Sequence, residues 1–204
     1  MGAGLGDKID QHTVVRLKHY KRFYNKADYG MKTDYICSST EVLQNMLGQD
    51  EPREYWCYPK KGSWDKNKES KLIGKNYIIP VEETEYWNDI FRSRSGFKGN
   101  GADGRNVSTG LAAVIIACHR IGGQIILAGF DTLMDPKLDY YSVYNPKTTV
   151  SHNHKWDIEH RMLLEIAEHY EVNLCVLSPP LGTMDTSSTE KSFLSPILNS
   201  AISH

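Results

Sequence analysis

The chain lacks any apolar run approaching the roughly 20 residues that a membrane helix requires, and its opening segment is Gly-rich and charged instead. Neither an anchor nor a leader is expected, and the reading is of a cytoplasmic protein. Excess charge of one sign is also missing, with 24 Lys and Arg against 25 Asp and Glu. No global field draws the chain onto nucleic acid or an anionic membrane, so any anion must be bound locally. Only four cysteines occur, Cys37, Cys57, Cys118 and Cys175, with no C-x-x-C spacing. Cys118 and Cys175 sit inside apolar runs, and all four read as reduced, mostly buried thiols. No D-x-D triplet is present, which removes the acidic pair that can hold a divalent ion against a diphosphate. There is no internal repeat.

What is there fits one domain, since 204 residues suffice for a single substantial core. Residues 13–17 and 34–38 are short β-branched or aromatic runs that read as strands. Residues 41–47 have helical spacing before Gly48. Residues 51–106 read as an irregular insertion, rich in Lys, Trp, Tyr and Gly, with strand character only at 77–81. Ser108 then precedes an apolar helix over 111–118, stopped by Gly122-Gly123. A buried strand, Gln124-Ile125-Ile126-Leu127-Ala128, follows and ends at Gly129-Phe130-Asp131. Ile158, Met162, Ile166 and Tyr170 recur every four residues, giving an amphipathic helix before a strand at 172–177. Pro179-Pro180 ends that strand, and residues 182–204 read as a partly mobile tail.

Strands alternating with helices imply an α/β fold, a single Rossmann-like domain with a mainly parallel sheet. Ligands of such sheets sit at the carboxyl ends of the strands. The loops at 38–40, 129–154 and 178–182 are therefore expected around one site.

Several residues there carry chemistry. Ser108-Thr109-Gly110 opens a helix, where unpaired N–H groups and the helix dipole favour an anion; the same residues serve equally as a plain cap. The phenols of Tyr140, Tyr141 and Tyr144 can donate to a departing phosphate, or fill a loop core. His152 and His154 precede a helix containing Glu159, and either imidazole can act as a general base. A metal held by both histidines and a carboxylate has no third ligand fixed by spacing. Tyr55, Trp56, Tyr58, Trp64, Tyr77, Tyr86 and Trp87 crowd the middle among Lys60, Lys61, Lys66 and Lys68. That mixture suits a lid over a sugar acceptor, a single-stranded nucleic-acid surface, or a solvated loop with buried anchors.

In order, these pieces resemble the sialyltransferases, both the animal type and the smaller bacterial type that modifies glycolipids. Gly4-Leu5-Gly6-Asp7-Lys8-Ile9-Asp10, Val14-Val15-Arg16-Leu17 and Gly30-Met31-Lys32-Thr33-Asp34 look like that family's first long donor motif. Ser108-Thr109-Gly110 through Gly129-Phe130-Asp131 is similar to the second. Tyr140-Tyr141 falls at the short aromatic motif, and His154 with Glu159 matches the closing His-to-Glu motif.

The resemblance implies a sialyltransferase-type variant of the GT-A architecture and a metal-independent, inverting transfer. Sialic acid, or a related acid sugar, would pass from CMP-sialic acid or another CMP-sugar to a glycan hydroxyl. No cofactor is implied beyond that donor. The partners are the nucleotide sugar and the glycan acceptor, with peripheral glycolipid contact and no nucleic acid. His154 becomes the base, with His152 and Glu159 in reserve, and Tyr140 and Tyr141 hold the phosphate. Ser108, Thr109, Gly110, Lys18 and Asp131 hold the donor, Lys18 standing where the family has a nucleotide-contacting asparagine. The family's opening strand and its Gly-Asn-Gly-Pro-Ser-like loop have no counterpart here. The expectation is a chain that starts after that central strand, or one that has found a substitute. A truncated relative that binds nucleotide without turnover is the alternative function, and a single-strand nucleic-acid binder a further one.

Overall fold

The computed structural model describes residues 5–17, 30–39, 51–58, 72, 74–96, 106–128, 155–177 and 194–196. A short helix α1 (Leu5–Ile9) leads into strand β1 (Val15–Leu17), followed by β2 (Tyr35–Ser39), β3 (Glu54–Tyr58) and β4 (Tyr77–Ile78). These four pair in parallel in the order β1-β2-β3-β4. Helices α2 (Val81–Ser95) and α3 (Thr109–Arg120) come next, then β5 (Gln124–Ala128), helix α4 (Trp156–His169), β6 (Asn173–Leu177) and β7 (Leu194–Pro196). β5 pairs in parallel with β6, and β7 adds to β6 antiparallel. The molecule is thus mixed α/β with mainly parallel pairing, and no helix among the described residues is long and apolar enough to cross a membrane.

The core is organised around α3. Leu111 through Cys118 are all buried, and a helix apolar on every side belongs inside a structure rather than on it. It rests on β1, β2 and β3 on one side and packs against α2 and α4 on the other. Ser108 starts the helix in extended backbone, its side chain accepting a hydrogen bond from Leu111 N–H. Gly122 and Gly123 end it with φ of 67° and 73°, a left-handed pair that glycine adopts without strain. The Gly123 carbonyl accepts from Asn173 N–H, which sets β6 beside β5.

α3 runs against the strands. Its opening lies by the carboxyl end of β3, where Tyr58 Oη lies 3.3 Å from the Val107 carbonyl, and its last turn lies by the amino end of β3, where Arg120 pairs with Glu54. The helix opening therefore sits at the ligand edge expected for a parallel sheet.

Two sequence expectations need correction. The stretch 51–106 contributes β3, β4 and α2, so it is not irregular throughout. Of the readings open for the aromatic crowd, Tyr55, Trp56, Tyr58 and Trp87 take that of buried anchors; burying one such ring stabilises by about 1.5–3 kcal/mol. The strand at 124–128 is not sealed either. Gln124 and Ala128 are exposed, Ile125 and Ile126 are half-buried, and only Leu127 is fully covered. In the tail, residues 194–196 form β7. The helix expected at 41–47, Trp64 and the four lysines at 60–68 lie outside the described residues.

The amino-terminal helix is clasped to the loop before β2. Asp10 accepts hydrogen bonds from Met31 N–H (2.7 Å) and Lys32 N–H (2.8 Å), and the Met31 bond holds its carboxyl below the usual carboxylate range. Gly30 has φ of 72°, and a Cβ there would collide with Asp10 Oδ1 and stand 2.6 Å from the Gly6 carbonyl oxygen. Only glycine fits.

Candidate functional site

The segment entering α3 is held from two other helices. From α2, Asn88 Oδ1 accepts from Val107 N–H (3.1 Å) and from Tyr58 Oη–H (2.9 Å). One turn further along α2, Arg92 Nη1 donates to Asn106 Oδ1 at 3.0 Å. From α4, Glu159 receives Ser108 N–H on Oε1 at 2.9 Å and stands 2.6 Å from Ser108 Oγ through Oε2. Residues 106–108 are therefore fixed before the helix begins, and its opening needs no rearrangement to present its N–H groups.

Glu159 is the decisive residue of this arrangement. It is fully buried, and burial pushes its carboxyl up to about 7, against the pull of the two Ser108 bonds. A carboxyl in that range is poised to exchange a proton near neutral pH. Tyr58, also buried, has its phenol pushed up by the same loss of water, with the nearby Glu159 charge acting in the same direction. Tyr58 is therefore a neutral donor, not a phenolate.

The residues that the sequence nominated divide sharply. Ser108, Thr109, Gly110 and Glu159 come together at the carboxyl end of the sheet. Ser108 is the helix cap, with its N–H and hydroxyl already engaged by Glu159. Thr109 is buried, and Gly110 is partly open in the first turn. Lys18, Asp131, Tyr140, Tyr141, Tyr144, His152 and His154 lie outside the described residues. Sequence reasoning misses Tyr58 and Asn88 as site residues: Tyr58 is one of the aromatic crowd, and Asn88 has no local signal at all. Among the described residues no group of three or more His, Cys, Asp or Glu could hold a metal ion.

The other end of α3 contains a cleft of about 190 Å³ lined by Tyr35, Arg53, Glu54, Asn76, Arg120 and Ile121. Its charges pair with one another and with nearby acids: Arg53 with Asp34 at 3.2 Å, and Arg120 with Glu54 and Glu83 at 3.4 Å each. It faces the amino ends of the strands, away from Ser108.

The chain matches no family model, no curated protein and no solved structure. Its function rests on the geometry and the sequence motifs together. The helix dipole and the first-turn N–H groups at this sheet edge can hold an anion, and Glu159, bonded to Ser108, keeps that opening in place.

Proposed function

We propose that the chain is a metal-independent, sialyltransferase-like glycosyltransferase that moves an acid sugar from a CMP-activated donor to a glycan hydroxyl by inversion. One observation carries this reading. The bond pair between Ser108 and Glu159 joins the helix opening Ser108-Thr109-Gly110 to the end of the His154-to-Glu159 segment, 51 positions away. The two stretches that resemble donor binding and base catalysis thereby meet at the sheet edge where ligands of parallel sheets bind.

In this reading the first-turn N–H groups at Thr109 and Gly110, with the helix dipole, receive the donor's negative charge. Ser108 and Glu159 are positioning residues, because their groups are spent on each other. His154, five positions before Glu159, takes the acceptor proton as the sugar bond forms and CMP leaves. Tyr140 and Tyr141 donate to the leaving phosphate, and Lys18 and Asp131 complete the donor pocket. A positioned base contributes on the order of 10²–10⁴ in rate.

Calorimetric titration with CMP, beside UMP as control, tests the donor site in wild type and in Gly110→Glu. An acidic residue in a first turn suits the helix dipole but repels a bound phosphate, so the variant should keep its melting temperature and lose CMP affinity tenfold or more. His154→Ala should retain CMP binding and lose transfer. A folded protein with no CMP binding overturns the proposal, while CMP binding without transfer under any acceptor favours a nucleotide-binding relative without turnover.

A further inference from the structure

The cleft at the last turn of α3 lies apart from Ser108, and its charge is unevenly placed. On one side Asp34 is shared by two cations, Lys32 at 3.3 Å and Arg53 at 3.2 Å. On the other, Arg120 is shared by two acids, Glu54 and Glu83, at 3.4 Å each. Asp10 and Arg16 nearby offset one another. The first group has one positive charge in excess and the second one negative charge, so the cleft is neutral as a whole but has two poles.

The poles present different atoms to a ligand. Asp34, only 5% exposed, engages Arg53 through Nε, while 70% of the Arg53 side chain stands in solvent; its Nη groups can take both oxygens of a carboxylate. Glu54 is mostly buried, and its Oε1 accepts from Trp56 Nε1–H at 2.8 Å, which fixes that carboxyl in the wall. Asn76 donates Nδ2–H to the Arg53 carbonyl at 2.8 Å, so the polar atom it has left is the acceptor Oδ1. The rest of the lining is apolar: the Tyr35 ring, backed by Trp56 with centroids 4.8 Å apart, and the exposed Ile121.

We propose that this cleft binds a free α-amino acid with an apolar side chain, its carboxylate on the Arg53 guanidinium, its ammonium on Glu54 and Asn76, and its side chain on Tyr35 and Ile121. A plain anion would meet the excess acid of Glu54 and Glu83, and a plain cation the excess charge of Arg53 and Lys32; a zwitterion suits both. Arg53 and Glu54 are consecutive, with Cα atoms about 3.8 Å apart, so the ligand's opposite charges need to lie close together, as they do on one α-carbon. Size agrees. The cleft's 190 Å³ or so falls below the roughly 300 Å³ at which pockets for drug-sized ligands begin, and exceeds the about 150 Å³ that encloses a benzene ring. One branched or six-membered side chain fits, and a nucleotide does not. This inference is independent of the transferase reading.

NMR titration of the isotope-labelled full chain with leucine and with phenylalanine tests it, read at the backbone amides of Tyr35, Glu54, Asn76 and Ile121. Saturable shifts are expected there, with a Kd at or below about 5 mM. Isoamylamine and 4-methylpentanoate each lack one of leucine's charges, and each should bind at least about tenfold more weakly than leucine. Arg53→Gln removes a largely exposed charge, so Tm should move by no more than about 4 °C while leucine affinity falls at least about tenfold. Three results would overturn the proposal: no shift at those amides up to about 20 mM amino acid; leucine affinity unchanged in a folded Arg53→Gln; or 4-methylpentanoate binding as tightly as leucine, which would make the cleft a simple anion site.

Discussion

At its first turn α3 meets a single carboxylate, Glu159, fully buried and tied to Ser108 at 2.6 and 2.9 Å. At its last turn Arg120 spreads its guanidinium between Glu54 and Glu83 at 3.4 Å each, with a third of its side chain in water. One end has few polar groups, short bonds and a fully buried carboxyl; the other has more charge, longer contacts and ready access to water. Solvent screens the second set to about 0–1 kcal/mol per pair. In the first set each bond matters more, because the buried Glu159 carboxyl has no water to turn to. Counting charges would rank the two ends in the wrong order.

The strongest way to break that contrast is Glu159→Ala. It removes the partner of the half-buried Ser108 N–H and hydroxyl and leaves a cavity, at a cost of about 3–4 kcal/mol; urea denaturation should register a lower midpoint at unchanged slope. A change of about 1 kcal/mol or less would mean that water reaches Ser108.

The pH dependence sharpens the comparison. Glu159 has its carboxyl raised to about 7 in the folded state from an ordinary value of 4.5, so between those values the native state binds more proton than the unfolded chain. Stability should be full below pH 4.5 as far as this group is concerned, and should fall as pH rises through about 7, by on the order of 3 kcal/mol. Denaturation curves taken from about pH 5 to 8 should show that decline in wild type, and Glu159→Gln should remove it. A wild-type profile that is flat or rises with pH in this window would refute the assignment.

The smallest effect belongs to the exposed end. Arg120→Ala should cost about 0.5 kcal/mol, and the cost should shrink further in about 1 M salt. A loss above roughly 2 kcal/mol would show that the two ends differ less than their exposure implies.

Much of the layout is legible in the sequence. The run 111–118, its Gly122-Gly123 stop and the period of four from Ile158 to Tyr170 are local signals, and they place α3, β5, α4 and β6. Helix α2 escapes because its inward stripe is Thr84, Trp87, Asn88 and Phe91. The spacing is helical, but two of its four members are polar, so the apolar period is hidden. Asn88 is buried for a reason that no nearby residue announces, since its partners Tyr58 and Val107 lie 30 and 19 positions away. The Ser108 to Glu159 bond spans 51 positions, and each residue alone reads as an ordinary cap and an ordinary first-turn acid. The motif order nominates both residues for one site, but the direct bond between them is a property of the fold. The half-covered face of β5 is equally silent, because an apolar run carries no record of whether both its edges are paired.

The clasp at Asp10 has a consequence for which substitutions this part of the chain tolerates. By gripping Met31 and Lys32 through their backbone N–H groups, it fixes the entry to β2 whatever side chains stand at those two positions. A single methyl group added at Gly30, by contrast, meets Asp10 and the Gly6 carbonyl at once. Positions open to many side chains and a position closed to all but hydrogen are therefore immediate neighbours in sequence.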